Sequence, residues 1–197
     1  MNQPRILVAG IGNVFKGDDG FGVEVARALS KSTGRAPWEL PDDVTVTVID
    51  FGIRGVDLAF AITSGYEIVI LIDAMRRSGE PGSVCVIQPE AADLCGSPVA
   101  VQGHNLDPLS VLRWASGMVD VMPKMYVVGC EPAEIPGEQD LAEGLSPPVQ
   151  AAVAKAVKVI RRLVTELGNT TNDRPVSQTQ TVSVEGRGTT NHTNRHE

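Results

Sequence analysis

Arg5-Ile6-Leu7-Val8-Ala9-Gly10-Ile11-Gly12-Asn13 opens the first readable element of the chain and decides how the rest is read. From Arg5 to Gly10 the run is almost continuously aliphatic and ends in turn residues, with no polar position in alternation. That is the pattern of a strand buried on both faces, as in a parallel sheet covered by helices on each side. Glu67 to Asp73, through Ile68-Val69-Ile70-Leu71-Ile72, repeats it. Val44 to Asp50 alternates Val and Thr and predicts a strand with one poorer face, and Gly82 to Ile87 and Lys124 to Cys130 predict two more.

Helical periodicity fills the intervals. Gly20 to Ser30 places Phe21, Val25 and Leu29 on one face, and Val56 to Thr63 does the same with Leu58 and Ile62. A third helix is predicted from Asp107, a good N-cap followed by Pro108 at the first helical position, to a stop before Gly117. The longest is predicted from Pro147 to Leu167, with Ser146 as N-cap, Gly168 just past its end, and Val149, Val153, Ile160, Leu163 and Leu167 facing inward. Strands alternating with helices give an α/β class: a single-domain, three-layer fold with a mostly parallel, twisted sheet flanked by helices.

The chain has 197 residues, of which 42% are hydrophobic, enough for one sizeable core. The domain is predicted to span residues 1–168. Beyond it, residues 169–197 contain three valines and otherwise only polar residues, Gly and Pro, a composition that predicts a disordered polar tail. Asp173, Glu185 and Glu197 offset Arg174, Arg187 and Arg195 there, so the net charge of -7 belongs to the residues before it. No block of Lys and Arg tracks a phosphate backbone, which argues against nucleic acid as a partner. Cys85, Cys95 and Cys130 are an odd count without a C-x-x-C pair, pointing to a reducing cytoplasm. Met1-Asn2-Gln3-Pro4-Arg5 runs straight into a strand, so no secretory leader is expected, and no apolar run approaches the roughly 20 residues of a membrane span.

Ligands of open α/β sheets gather beyond the carboxyl ends of the strands. Asp18 and Asp19 follow the first strand, Asp50 ends the second and Asp73 ends the third; His104 precedes the third helix and is the one histidine before the tail. Carboxylates from different loops with one imidazole form a mixed oxygen and nitrogen set suited to a divalent transition metal, nickel included. Plainer roles compete. Asp18 and Asp19 would serve equally to cap the following helix, Asp50 and Asp73 as turn formers, and His104 as an ordinary loop residue. Gly10-Ile11-Gly12 raises a dinucleotide reading, but Phe15 stands where the fingerprint needs a third Gly, and no Gly-Lys-Ser/Thr completes a P-loop. No nucleophile elbow marks a serine or cysteine enzyme, and Cys130 reads as a small buried residue.

The segment Ile6-Leu7-Val8-Ala9-Gly10-Ile11-Gly12-Asn13-Val14-Phe15-Lys16-Gly17-Asp18-Asp19-Gly20-Phe21-Gly22 resembles the opening of the hydrogenase maturation endopeptidases, where G-x-G-N is followed by an acidic pair and a glycine. The likeness continues, in the same order, through Asp50-Phe51-Gly52-Ile53-Arg54-Gly55, Leu71-Ile72-Asp73-Ala74 and Gly103-His104-Asn105-Leu106, and spans about Arg5 to Leu167. The resemblance implies that Asp19, Asp73 and His104 form the metal-binding constellation; the same three are the expected catalytic residues, with their roles in the chemistry left open and a metal that serves recognition alone equally allowed, and Asp18 and Asp50 are expected to stand behind them. Asp19 is the shorter carboxylate where some members have Glu, and Phe51 and Ile53 stand where many have Gly and Thr, a departure that bears on the identity of the cognate hydrogenase. It further implies an endopeptidase that recognises nickel already seated in the precursor of a hydrogenase large subunit and removes the C-terminal extension, so that the metal comes with the substrate. A non-enzymatic nickel-binding assembly protein using the same three residues is the alternative, and a small-molecule hydrolase or nucleotide-binding protein on the same fold is another.

Overall fold

The computed structural model describes residues 4–31, 44–89, 108–137 and 140–172. The chain runs β1 (Arg5–Ile11), a 3-10 turn (Gly17–Gly20), α1 (Phe21–Lys31), β2 (Thr45–Gly52), α2 (Gly55–Ile62), β3 (Ile68–Ala74), β4 (Val84–Ile87), α3 (Pro108–Ser116), β5 (Lys124–Cys130) and α4 (Pro147–Asn172). The strands form one sheet in the order β2-β1-β3-β5-β4, parallel except for β4 at one edge. The near-continuous aliphatic runs are interior strands: Ile6 to Gly10 and Ile68 to Asp73 are buried throughout. The Val/Thr alternation belongs to β2, an edge strand, most of whose residues are partly exposed.

Strand periodicity sorts the core into two layers. Ile6, Val8, Ile70, Ile72 and Val128 point to the face covered by α1 and α4. Leu7, Ala9, Val69, Leu71 and Val127 point to the face covered by α2 and α3. This is the three-layer arrangement expected of α/β units. The fourth strand is shorter than its expected range, because Pro81 and Gly82 form a turn and pairing with β5 starts only at Val84.

One expectation for the last helix is corrected. Gly168 does not end α4, which continues to Asn172. Ile160, Val164 and Gly168 recur at four-residue spacing on the buried face, so packing on the sheet extends through the glycine, and an interior Gly costs only about 1 kcal/mol. Leu163 is partly buried and packs against this core as expected, and Val164 beside it is fully buried. The tail from residue 173 lies outside the described residues. Among those that are described, no helix is long and apolar enough to cross a membrane.

Candidate active site at the carboxyl ends of β1 and β3

The strand order reverses at β1. The chain leaves it through α1 on one face to reach β2, then returns through α2 on the other face to β3. A crevice at such a switch point, beyond the carboxyl ends of two neighbouring parallel strands, is where ligands of open α/β sheets bind. Asp19 lies in the 3-10 turn that follows β1, and that turn packs on β3. Asp73 is near the end of β3, 8% exposed and in register with Gly129 of β5. Asp50 is in register with Gly10 on the far side of β1. All the acids singled out in the sequence therefore come to one end of the sheet, on β2 and β3 and in the turn that follows β1 between them.

Close packing builds this end. A Cβ at Gly22, in the first turn of α1, would run into the carbonyl oxygens of Ile72 and Ile11, so only glycine lets α1 lie directly across β1 and β3. Gly12, at φ 119, turns the chain out of β1, and a side chain there would strike the carbonyl of Asp19. The glycines thus serve packing and turning. The backbone N–H groups that a phosphate cradle would need are already occupied: Gly12 N donates to Gly52 O at 3.0 Å, Asn13 N to Asp19 Oδ2 at 2.7 Å, Phe15 N to Asn13 Oδ1 at 3.0 Å, and Gly17 N to Ala142 O at 2.8 Å. A loop so committed leaves no nest of donors for an anion.

The two adjacent acids have different surroundings. Asp19 is partly exposed, its Oδ2 accepting from Asn13 N. Asp18 is 1% exposed and turns inward, where it accepts four hydrogen bonds: from Ser146 N at 2.7 Å, Ala133 N at 2.8 Å, Ser146 Oγ at 2.9 Å and Glu134 N at 3.2 Å. Burial pushes the Asp18 carboxyl up, but the N–H groups of Ser146 and Glu134, the Ser146 hydroxyl and the Ala133 N–H together outweigh it and hold the group below its ordinary value. Ser146 has this freedom because Pro147 and Pro148 occupy the first turn of α4 and bring no N–H to be capped. Its carbonyl still accepts from Gln150 N at 2.8 Å. Asp50 is paired differently, its Oδ2 3.3 Å from Arg27 Nε on α1, while its carbonyl accepts from the Arg54 guanidinium.

His104 and the rest of the Gly103-His104-Asn105-Leu106 block lie outside the described residues. Pro108, the start of α3, is four residues on from His104, so the intervening chain spans at most about 14 Å. Among the described residues no three of His, Cys, Asp and Glu gather closely enough to hold a metal ion. Asp19 and Asp73 would supply two oxygen ligands of the expected set, and the imidazole would have to complete it.

Cys130 is fully buried in the core beneath α4, its thiol donating to Glu131 O at 3.7 Å. Burial, then the charges of Asp18, Cys85 and Glu131, push it up to about 11, so it stays protonated at neutral pH and makes a poor nucleophile. Three exposed apolar side chains lie in the connections at this end of the sheet. Phe15 after β1, Ile53 after β2 and Leu141 in the β5–α4 segment are 57%, 72% and 77% exposed, whereas Phe51 is packed into the core.

The segment between β5 and α4 was not singled out in the sequence, and it is the chief structural element of this end of the sheet. Its residues lie 115 to 128 positions from Asp18, and no local pattern links them. Its length between two regular elements was the available signal, because long connections in compact domains are commonly functional.

The chain is similar to known proteins of one family. Residues 23–163 match the family model described as hydrogenase maturation protease. The chain is 28% identical to hydrogenase expression/formation protein HupD of Rhizobium leguminosarum bv. viciae, over 87% of this chain and 80% of that protein. It is 32% identical to the coenzyme F420 hydrogenase subunit delta of Methanothermobacter thermautotrophicus, over 79% of this chain and 92% of that one. Among solved structures, the hydrogenase maturating endopeptidase HybD from E. coli superposes with a TM-score of 0.61 at 26% identity, over 83% of this chain and 94% of that chain.

Proposed function

Because the chain belongs to the hydrogenase maturation protease family, we propose that it is the endopeptidase that cuts the C-terminal extension from the large-subunit precursor of a nickel-iron hydrogenase after nickel has been loaded. The observation that supports this most directly is the packing of the Asp19 turn on β3, the strand that carries Asp73, beside the β1/β3 switch point, in a chain whose family match covers residues 23–163. Relatives that are themselves named proteases and endopeptidases favour hydrolysis over the non-enzymatic assembly reading.

In this reading nickel arrives as part of the substrate. Asp19, Asp73 and His104 approach it with two carboxylates and one imidazole, donors that suit divalent nickel. Their task is orientation. Once the precursor's metal is held at the crevice, the scissile bond is fixed relative to the enzyme, and such positioning lowers a barrier by about 7–11 kcal/mol when the geometry is very good. Water adds to the carbonyl carbon, the carbon–nitrogen bond breaks, and the departing amine takes up the proton that the water releases. The exposed apolar side chains of Phe15, Ile53 and Leu141 offer contact to the precursor beyond the metal. The reaction belongs in the reducing cytoplasm, in keeping with the free thiols of Cys85 and Cys130.

His104→Ala and Asp73→Asn test the assignment. Each is expected to slow cleavage of nickel-loaded precursor by about 100-fold or more, as loss of a positioning ligand does, with circular dichroism unchanged. Cleavage at the unsubstituted rate by either variant contradicts its place in the site.

A further inference from the structure

Asp18 is an unusual residue to bury one position before a residue that faces a crevice. An apolar side chain would fill the same space without the cost of desolvating a charge, and a carboxylate is tolerated there only because directional donors surround it. All four of those donors lie in the connection from β5 and the start of α4. The same connection grips the rest of the turn. Gly17 N donates to Ala142 O at 2.8 Å, Ala142 N donates to Phe15 O at 3.0 Å, and Lys16 Nζ donates to the carbonyls of Gly137 and Asp140, both at 2.7 Å. Residues 15 to 18 are thus bonded at every position to one distant segment. Asp19 follows directly, and its own carboxylate is anchored through Oδ2 to Asn13 N.

We propose that Asp18 is a positioning residue for the peptidase reaction: by binding Ser146 and the N–H groups of Ala133 and Glu134 it fixes the backbone from which Asp19 reaches the substrate's metal. This rests on the reading of Asp19 as a ligand to nickel carried by the precursor. The β5–α4 connection is then part of the active site although none of its side chains is called on to touch the reacting bond. Asp18 and Asn13 hold Asp19 from two sides, one through the chain and one through the carboxylate.

Asp18→Asn keeps the size of the side chain but places an amide nitrogen among N–H donors, and Ser146→Ala removes one of the four bonds while leaving the carboxylate in place. Two readouts are taken on the full chain. The amide resonance of Asn13 in a proton–nitrogen correlation spectrum reports whether the Asp19 carboxylate has moved, and single-turnover cleavage of nickel-loaded precursor, with its apparent affinity, reports the consequence. For Asp18→Asn the Asn13 signal is expected to shift while amides of β3 and α4 stay in place, and the single-turnover rate to fall about 100-fold, the loss that a misplacement near 1 Å produces, with precursor affinity nearly unchanged. Ser146→Ala is expected to change both readouts in the same direction by less.

An unmoved Asn13 signal in a folded Asp18→Asn protein overturns the proposal. So does a rate loss that only follows the loss of folded protein. If Asp18→Asn does not fold, Ser146→Ala decides, and wild-type values for both of its readouts overturn the proposal. Failure of the unsubstituted protein to cut the precursor would instead refute the functional reading, and the Asn13 signal would still report whether Asp18 sets the position of Asp19.

Discussion

Asp18 and Asp19 are adjacent, chemically identical residues whose roles diverge because one side chain points into the protein and the other lies at its surface. In the sequence both read equally well as helix-capping acids or as ligands, since periodicity says nothing about which of two neighbours turns inward within a 3-10 turn. The partners that separate them come from Ala133, Glu134 and Ser146, beyond the reach of any local pattern. The bonds to Asp18 also have a pH signature. Its carboxyl is held below the ordinary value of 3.8, so in the folded state it stays ionised to lower pH than in the unfolded chain. The stability it contributes is fully present above 3.8 and is lost as pH falls through the lower folded value. Urea unfolding of wild type and Asp18→Asn is therefore expected to show a difference of about 2–3 kcal/mol at neutral pH that is constant down to the ordinary carboxyl value and shrinks below it. A difference that grows on acidification would contradict the assignment.

Elements were more legible than residues, for a physical reason: β1, β3 and α1 are specified by runs of side chains that must all be buried together. Phe21, Val25 and Leu29 fall on the buried face of α1 as their spacing requires. Ends were less legible. The Gly168 stop failed because the buried stripe continued through it, and helix propensity is a weak preference beside packing on a sheet. One glycine of the opening motif that assembly depends on is Gly22, where α1 crosses two strands. Gly22→Ala is expected to force the helix away from Ile72 and Ile11 and to cost about 3 kcal/mol, at the upper end for overpacking. Thermal unfolding measures this directly, and an unchanged melting temperature would show that the close approach is not as the geometry has it.

At the scale of the whole molecule, alternation of strand and helix made the three-layer architecture readable, and the rule for open sheets pointed to the end at which Asp19, Asp50 and Asp73 gather. What the sequence could not supply was the partnering across that end: the β5–α4 connection holding the β1 turn, Arg27 holding Asp50, and the exposure of Ile53 while Phe51 enters the core. Each depends on contacts between distant segments that only the closed fold brings together. The molecule that results has carboxylates and exposed apolar side chains at one end of its sheet, the features on which the proposed function rests. The central claim is that it cuts a precursor only when nickel is in place. The most direct test is the intact mass of the hydrogenase large-subunit precursor from the same organism, nickel-loaded and nickel-free, after incubation with the purified protein. A single C-terminal cut confined to the nickel-loaded sample is predicted, whereas equal cutting of both samples, or none in a precursor shown to be competent, would contradict the account.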